Sequence, residues 1–220
     1  MNDFNALSEA VIKGDVKGAV AETQKLLDAG SVASNILNDG LITTMNEVGE
    51  RFSKGLIFVP QMLRSAKVMQ ECTKLLQPFF LEGDVTTKGS VIMGTVKGDL
   101  HDIGKNLVAM MLEGAGFAIT DLGVDVSPQT FVEKVKELSP DIIGLSALLS
   151  TTMPAMPDTI KALEEAGLRD KVKVMIGGAP VTEKYAQTIS ADAYASDAGS
   201  AVIKAKNLLN KFYNPSEINK

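Results

Sequence analysis

The only histidine of the chain, His101, lies in the segment Gly-Asp-Leu-His-Asp-Ile-Gly at positions 98–104. Asp99 stands two residues earlier, a spacing at which side chains of an extended or turning loop can face the same way. Its carboxylate can then accept the N–H of one ring nitrogen and leave the other nitrogen as a lone-pair donor to a metal. The spacing favours a metal-ligating histidine, and a satisfied surface or capping histidine is the open alternative. Asp102 is expected to cap the helix that follows, near the positive end of the helix dipole.

Three further segments combine small and hydroxyl-bearing residues. Residues 144–153 are rich in Ser and Thr, residues 177–180 read Gly-Gly-Ala-Pro, and residues 196–199 read Ser-Asp-Ala-Gly. Hydroxyl groups can contact a polar ligand, and glycines let a flat or bulky group approach the backbone closely. No Arg or Lys cluster accompanies these segments, which argues against a polyphosphate ligand. The ordinary alternative is a set of buried strands followed by Ser/Thr helix caps.

The elements that must position these residues follow two patterns. Residues 1–85 have apolar spacings of three and four, which predict helices alone, with Asp15 and Ser31 as caps of the second and third. From residue 86 onwards, short β-rich runs alternate with helical stretches. The predicted strands are 90–96, 117–123, 141–147, 171–177 and 192–196, and the predicted helices are 102–115, 127–138, 154–166, 181–190 and 198–211.

This alternation predicts an α/β fold. We expect an N-terminal antiparallel helical bundle, residues 1–85, followed by a flavodoxin-like, Rossmann-type parallel sheet of five strands with helices on both faces, residues 86–220. The linker is expected at Glu82–Lys88. Such sheets bind ligands beyond the carboxyl ends of their strands, at the switch point in strand order. The His101 loop and the three small-residue segments are therefore expected to meet at one edge.

Composition argues against several classes of protein. The net charge is -5 and there is no Trp, so neither a basic stripe nor a stacking surface for nucleic acid is expected. The single cysteine, Cys72, excludes an internal disulfide and, with only one histidine, argues against a protein-built zinc site. No apolar run approaches the roughly 18 residues of a membrane span, and the N-terminus is unlike a signal peptide. A cytoplasmic protein without membrane partners is the expectation.

These segments together resemble a known family. Asp99-Leu100-His101-Asp102-Ile103-Gly104 resembles the Asp-x-His-x-x-Gly signature of cobalamin-binding domains that hold the cofactor base-off and His-on. Ser146-x-Leu148 and Gly177-Gly178 resemble the two companion motifs of that family, in the same order and at the expected spacings. Residues 49–52 and 58–63 are similar to the helical cap of such proteins. The resemblance covers nearly the whole chain and points to corrinoid proteins of three-component methyltransferase systems, which are similar to the central modules of cobalamin-dependent methionine synthase.

The resemblance implies a role for each matched residue. His101 is the lower axial cobalt ligand in place of the cofactor's dimethylbenzimidazole, Asp99 hydrogen-bonds it, and Thr152 completes the relay where methionine synthase has Ser. Ser146 and Ser150 meet the displaced nucleotide tail, and Gly177 and Gly178 let that tail pass. The other implied cofactor contacts are Gly98, Leu100, Asp102, Ile103, Gly104, Leu148, Asp197 and Ala198. The cap residues expected over the methyl face are Phe52, Phe58, Met62 and Leu63, and each of them is also a candidate for the bundle core.

The implied function is that of a methyl-group carrier in one-carbon metabolism. The bound cobalamin would alternate between Co(I) and methyl-Co(III) as it takes a methyl group from a substrate:corrinoid methyltransferase and passes it to a second, acceptor-specific methyltransferase. A reductive activase is a further candidate partner. The donor, whether a methylamine, a quaternary amine, methanol or a methoxylated aromatic, is not encoded in any recognised motif, and catalysis is expected to need the partner enzymes.

Other functions remain as alternatives. A cobalamin-binding sensor or regulator is the main one, although the helical half has no basic recognition helix. An adenosylcobalamin mutase module would need a barrel partner. A hydrolase is disfavoured because Leu148 replaces the second glycine of Gly-x-Ser-x-Gly around Ser146. A dinucleotide-binding protein is disfavoured because Gly114 and Gly116 precede a strand instead of following one.

Overall fold

A computed structural model describes residues 4–79 and 87–213, apart from the side chains of Ser53 and residues 210–213. The chain divides into two compact units, residues 1–87 with 113–116, and residues 88–112 with 117–220. The predicted linker 82–88 lies outside the described residues except for Thr87 and Lys88. No helix within the described ranges is both long enough and apolar enough to cross a membrane.

The first unit is helical, as its apolar spacing predicts. Asp15 caps the second helix, because its carboxylate accepts the N–H of Gly18 at 3.0 Å. The helices pack through their predicted stripes, and Leu37, Leu41, Met45 and Val48 are all buried. The elements are α1 (Asn5–Lys13), α2 (Val16–Asp28), α3 (Ala33–Asn35), a π-helical segment (Ile36–Ile42), α4 (Thr43–Ser53), α5 (Val59–Leu76) and a 3₁₀ turn (Gln77–Phe79).

The third helix differs from its prediction. It begins after Val32, with no side-chain cap, so the prediction that Ser31 caps it is wrong. It then widens into the π-helical segment before continuing as α4. In this wider turn the hydroxyl of Thr43 donates to the Asn38 carbonyl at 3.0 Å and that of Thr44 to the Gly40 carbonyl at 2.6 Å. These hydroxyls give the carbonyls partners that an i+4 apolar pattern does not reveal.

The second unit is the predicted five-stranded parallel sheet, in the order β2-β1-β3-β4-β5. This is the flavodoxin-like order, whose switch point lies between β1 and β3. Its core is made of buried aliphatic residues of the strands and the helices beside them, with Phe131 as the largest. The elements are β1 (Ser90–Thr95), α6 (Ile103–Gly114), β2 (Ala118–Asp121), α7 (Pro128–Leu138), β3 (Ile142–Ser146), α8 (Ala155–Glu165), a 3₁₀ turn (Arg169–Lys171), β4 (Lys173–Gly177), α9 (Glu183–Thr188), β5 (Ala193–Ala195) and α10 (Ala198–Tyr213).

The strand ends are aligned in one row. Thr95 of β1 pairs with Ser146 of β3, Ser146 with Gly177 of β4, and Gly177 with Ala195 of β5. Because each of these residues is the last of its strand, the loops that follow leave the sheet side by side. The register therefore brings the His101 loop and the three small-residue segments to the same edge.

Gly178, just past this row, is required by the backbone. Its φ is +127°, and a Cβ placed there would lie 1.8 Å from the carbonyl oxygen of Ala147. The group that approaches this glycine closely is thus the start of the β3–α8 loop. Any side chain at position 178 would force the β3 and β4 loops apart.

We expect Gly178→Ala to lower the free energy of unfolding by about 3 kcal/mol or more, from backbone strain and the collision with Ala147 together. Gly167→Ala is the matched control, because Gly167 also has a positive φ, +67°, but a Cβ there would meet nothing within 4 Å. The control should cost only about 1–2 kcal/mol. Urea unfolding followed by circular dichroism measures both, and equal losses would contradict the role given to the Ala147 contact.

Candidate functional site

The site is built on the loop that leaves β1. The hydroxyl of Thr95, the last residue of the strand, donates to the carbonyl of His101 at 2.8 Å, and Asp99 N–H donates to the Val96 carbonyl at 3.1 Å. Gly98 has a φ of +82°, which allows the chain to turn sharply here. The loop therefore folds back over the end of β1 and leaves the His101 side chain 50% exposed.

Asp99 is fully buried at the centre of this loop. Its Oδ1 accepts the backbone N–H of His101 at 3.0 Å and lies 2.7 Å from Nδ1 of the His101 ring. Its Oδ2 accepts the N–H of Leu148 at 2.8 Å, the N–H of Leu149 at 3.3 Å and the hydroxyl of Thr152 at 2.6 Å. One carboxylate thus joins the loop after β1 to the loop after β3.

The charge on Asp99 decides which nitrogen of the ring is available. Burial raises the pKa of this carboxyl, but the hydrogen bonds from Thr152, His101 and Leu148 outweigh it and hold the pKa well below its usual range. An ionised carboxylate only accepts hydrogen bonds, so Nδ1 of His101 carries the proton. When the imidazole is neutral, Nε2 then presents a lone pair, which is the form in which a histidine binds a metal.

Five large apolar side chains are exposed on the His101 loop and on the two loops that are hydrogen-bonded to it, after β2 and after β3. Grouped exposed apolar residues often mark a binding site, since singly scattered ones are the usual case in soluble proteins. Three loops contribute to this apolar collar, and its members range from 37% exposed to 85% exposed. They are Leu100, Ile103, Val124, Leu148 and Leu149.

A metal at His101 would have few other protein ligands. The described residues contain no group of three or more His, Cys, Asp or Glu side chains that could hold a metal ion. A metal bound here must therefore bring most of its own ligands with it. An exposed imidazole inside an apolar collar fits a metal held in a large macrocycle.

Comparison with known families agrees with this chemistry. Residues 89–203 match the B12 binding domain, and residues 4–77 match a second model described as B12 binding domain. The chain belongs to the B12-binding family. Its cofactor is cobalamin, whose cobalt sits in a corrin macrocycle.

Relatives resemble this B12-binding protein over nearly its full length. Dimethylamine corrinoid protein 1 of Methanosarcina acetivorans is 47% identical over 207 residues, which cover 92% of this chain and 95% of the relative. A cobalamin-binding protein from Desulfitobacterium hafniense has 34% identity and a TM-score of 0.78, covering 94% of this chain and 98% of that one. A chain of the methanol:cobalamin methyltransferase complex of Methanosarcina barkeri is 28% identical to this protein, with a TM-score of 0.83. The match covers 94% of this chain and 79% of that one.

The predicted contacts of the B12-binding loops fall at the sheet edge. Gly98, Leu100, Ile103 and Gly104 are exposed, whereas Asp102 is half-buried and its carboxylate accepts a hydrogen bond from the side chain of Asn106 at 3.0 Å. Asp102 precedes α6, and its carbonyl accepts the Asn106 N–H. That its side chain caps this helix stays a prediction. These residues line the same edge as His101.

The predicted residues of the other three loops differ in burial and in their contacts. Ser146 is half-buried and ends β3, whereas Ser150 is exposed beyond it. Gly177 ends β4, and a Cβ there would lie 3.0 Å from the Ala195 carbonyl. Asp197 accepts the Ser200 N–H at 2.8 Å and so caps α10, while Ala198 is buried. The structure thus gives Asp197 a capping contact that its predicted cofactor role did not include.

The four predicted cap residues divide by exposure. Phe58 is 70% exposed and Leu63 is exposed, whereas Phe52 is half-buried and Met62 is fully buried. Leu56 lies between α4 and α5, and Val59 is the first residue of α5. Both are exposed beside Phe58, although neither was among the four residues expected over the methyl face. Four residues around the start of α5 therefore form an exposed apolar group: Leu56, Phe58, Val59 and Leu63. Val32 and Phe79 are exposed elsewhere in the helical unit.

Sequence reasoning missed three residues that hold the site. Thr95 supports the His101 carbonyl, and Asp125 bonds the backbone of the same loop. Lys105 is buried in α6 and pairs with Asp121 at the end of β2. Their partners are distant in sequence or are backbone atoms, so only the lysine within an apolar helical stretch was a visible signal.

The buried Asp99 carboxylate predicts a pH dependence. Its pKa is lowered on folding, so it stabilises the protein fully above the unfolded pKa of about 3.9. That contribution is lost as the pH falls from about 4 towards the lower folded value. Without cofactor, we expect the free energy of unfolding at pH 6 to be about 2 kcal/mol higher for the wild type than for Asp99→Asn. This difference should become smaller below pH 4. A gap that is constant from pH 6 to pH 2.5 in urea titrations would contradict this.

Proposed function

We propose that this B12-binding protein is a methyl-group carrier that holds cobalamin base-off, with His101 as the lower axial ligand of cobalt. When bound, the cobalt would supply the methyl-accepting and methyl-donating centre, alternating between Co(I) and methylated Co(III). The protein would contribute the axial ligand, its orientation and its surroundings. The observation that carries the proposal is the half-exposed His101 ring beside the apolar collar. Its Nδ1 contacts the buried Asp99, which leaves the lone pair of Nε2 for a metal.

Asp99 and Thr152 would act on His101 from below. The Asp99 carboxylate keeps the proton on Nδ1, and the Thr152 hydroxyl keeps the carboxylate in place through a 2.6 Å hydrogen bond. The threonine retains the hydroxyl that the resemblance requires at this position. Together they would fix both the tautomer and the tilt of the ligating ring.

The other loops and the helical unit would serve the remaining parts of the cofactor. Ser146 and Ser150 would meet the displaced nucleotide tail, which Gly177 and Gly178 would let pass. For residues 1–85 we propose a covering role, with the exposed apolar group at Leu56, Phe58, Val59 and Leu63 as its contact surface. Residues 86–220 would form the cobalamin-binding domain.

The partners would be two methyltransferases, one that loads the methyl group and one that removes it. The Methanosarcina acetivorans relative is named as a dimethylamine corrinoid protein, and the Methanosarcina barkeri structure is that of a methanol:cobalamin methyltransferase complex. The first of these names favours a methylated amine as the donor. A reductive activase would return oxidised cobalt to the active state.

Reconstitution with hydroxocobalamin tests the ligand assignment. We expect wild-type protein to bind it with the absorbance of a histidine-ligated, base-off corrinoid, and His101→Gly to bind roughly 10- to 100-fold more weakly with an altered spectrum. Free imidazole should restore the wild-type spectrum to His101→Gly, because it can enter the space left by the ring. An unchanged spectrum in His101→Gly would refute the assignment.

A transfer assay separates a carrier from a cobalamin-dependent sensor. The protein loaded with cobalamin and chemically reduced should become methylated when it is mixed with a dimethylamine-specific methyltransferase and dimethylamine. The methyl group should then pass to a thiol acceptor when a corrinoid:thiol methyltransferase is added. Tight cobalamin binding with no methylation by methyltransferases for dimethylamine, other methylamines or methanol would favour the sensor.

A further inference from the structure

Asp125 is an aspartate in a backbone conformation that side chains rarely adopt. It lies in the loop between β2 and α7, is exposed, and has a φ of +54°. Among the described residues, the other non-glycine positions with positive φ are Ser139 and Ser190, and both follow helices, where such geometry ends a helix. Asp125 ends no helix, so its conformation calls for another reason.

Both polar ends of Asp125 contact the loop that carries His101. Its Oδ1 accepts the N–H of Gly98 at 2.7 Å, and its own N–H donates to the carbonyl of Asp99 at 3.0 Å. The next residue, Val126, forms a parallel bridge with Val96 and donates its N–H to the Thr95 carbonyl at 2.9 Å. The β2 loop is thus aligned against the His101 loop as a short extension of the sheet.

These two bonds grip the residues on either side of one peptide group. Gly98 N–H belongs to the peptide that enters Gly98, and the Asp99 carbonyl belongs to the peptide that leaves Asp99. The two bonds therefore fix the peptides on both sides of the Gly98–Asp99 peptide, which is itself held by the bond from Asp99 N–H to the Val96 carbonyl. The direction of the Asp99 side chain follows from the orientation of this backbone, and the His101 ring follows from Asp99 through the 2.7 Å contact at Nδ1. The left-handed conformation of Asp125 is what lets one residue offer both a donor and an acceptor to the same loop.

The other supports of His101 come from different strands. Thr95 of β1 holds the His101 carbonyl, and the β3–α8 loop holds the Asp99 carboxylate through Leu148 and Thr152. Neither of these holds the backbone at Gly98. Without its carboxylate, Asp125 would keep its bond to the Asp99 carbonyl but would leave the Gly98 N–H without this acceptor.

We propose that Asp125 is a positioning residue for His101, which fixes the backbone of the ligand loop so that the imidazole is presented at the height and tilt that cobalt needs. The proposal rests on the proposed role of His101 as the axial ligand. Asp125 touches neither the metal nor the ring, and it acts through Gly98 and Asp99.

Three variants test this role. Asp125→Gly keeps the positive φ without strain and removes the acceptor, whereas Asp125→Asn keeps a carbonyl acceptor and tolerates the same φ. Ser139→Gly is the matched control, since it replaces another left-handed residue of the same unit, at the end of α7. Urea unfolding of each variant first establishes that it is folded.

The first measurement is the equilibrium between histidine-ligated and unligated bound cobalamin, read from absorbance over a range of temperature. We expect Asp125→Gly to lower the ligated-to-unligated ratio about tenfold, as for other outer supports of a ligating histidine. Asp125→Asn and Ser139→Gly should stay close to wild type. A ratio in Asp125→Gly equal to that of wild type would overturn the proposal, and so would an Asn variant as impaired as the Gly variant.

The second measurement needs no cofactor. Because His101 is the only histidine, nitrogen-15 NMR reports its ring without overlap. We expect the proton on Nδ1 to exchange with water faster in Asp125→Gly than in wild type, Asp125→Asn or Ser139→Gly, because Asp99 is held less firmly. Equal exchange in all four proteins would overturn the proposal. This result does not depend on whether His101 ligates cobalt, which the His101→Gly variant tests separately.

Discussion

The structure depends on one buried charge, the carboxylate of Asp99. Burying a carboxylate is unfavourable unless its oxygens are fully hydrogen-bonded. Here the partners come from the His101 backbone and ring and from a loop about 50 residues further along the chain. The charge therefore forces the β1 and β3 loops into one arrangement, and His101 takes its position from that arrangement.

The sheet supplies the frame in which this charge can be satisfied. Parallel strands end at a common edge, and the aligned row from Thr95 to Ala195 brings four loops together there. This edge tolerates no side chain at position 178, because Gly178 passes too close to the Ala147 carbonyl. The same edge leaves its apolar collar exposed, which stabilises nothing in the protein alone and is explained by a large ligand such as cobalamin.

The His101 imidazole is held by one direct contact and by several indirect ones. Asp99 touches the ring, Thr152 touches Asp99, and Thr95 touches the backbone of His101. Because the described residues contain no group of three or more side chains that could hold a metal ion, the geometry of the site depends on how firmly the His101 ring is held. A protein with several ligands can tolerate a loose one, whereas a single axial ligand must be oriented by its neighbours.

The sequence by itself determined the alternation of strands and helices, the edge where chemistry belongs, and the Asp99–His101 pair. These are local: apolar periodicity, glycine positions and a spacing of two residues are all read within a few positions. Only the tertiary structure decided that a π-helical segment interrupts the third helix, that Gly178 faces Ala147, and that Thr95 and Asp125 hold the loop. The Gly178 contact and the bonds of Thr95 and Asp125 rest on backbone atoms, and they exist only once the strands are paired in register. The π-helical segment rests on hydroxyl-to-carbonyl bonds within one turn, which the spacing of apolar residues does not reveal.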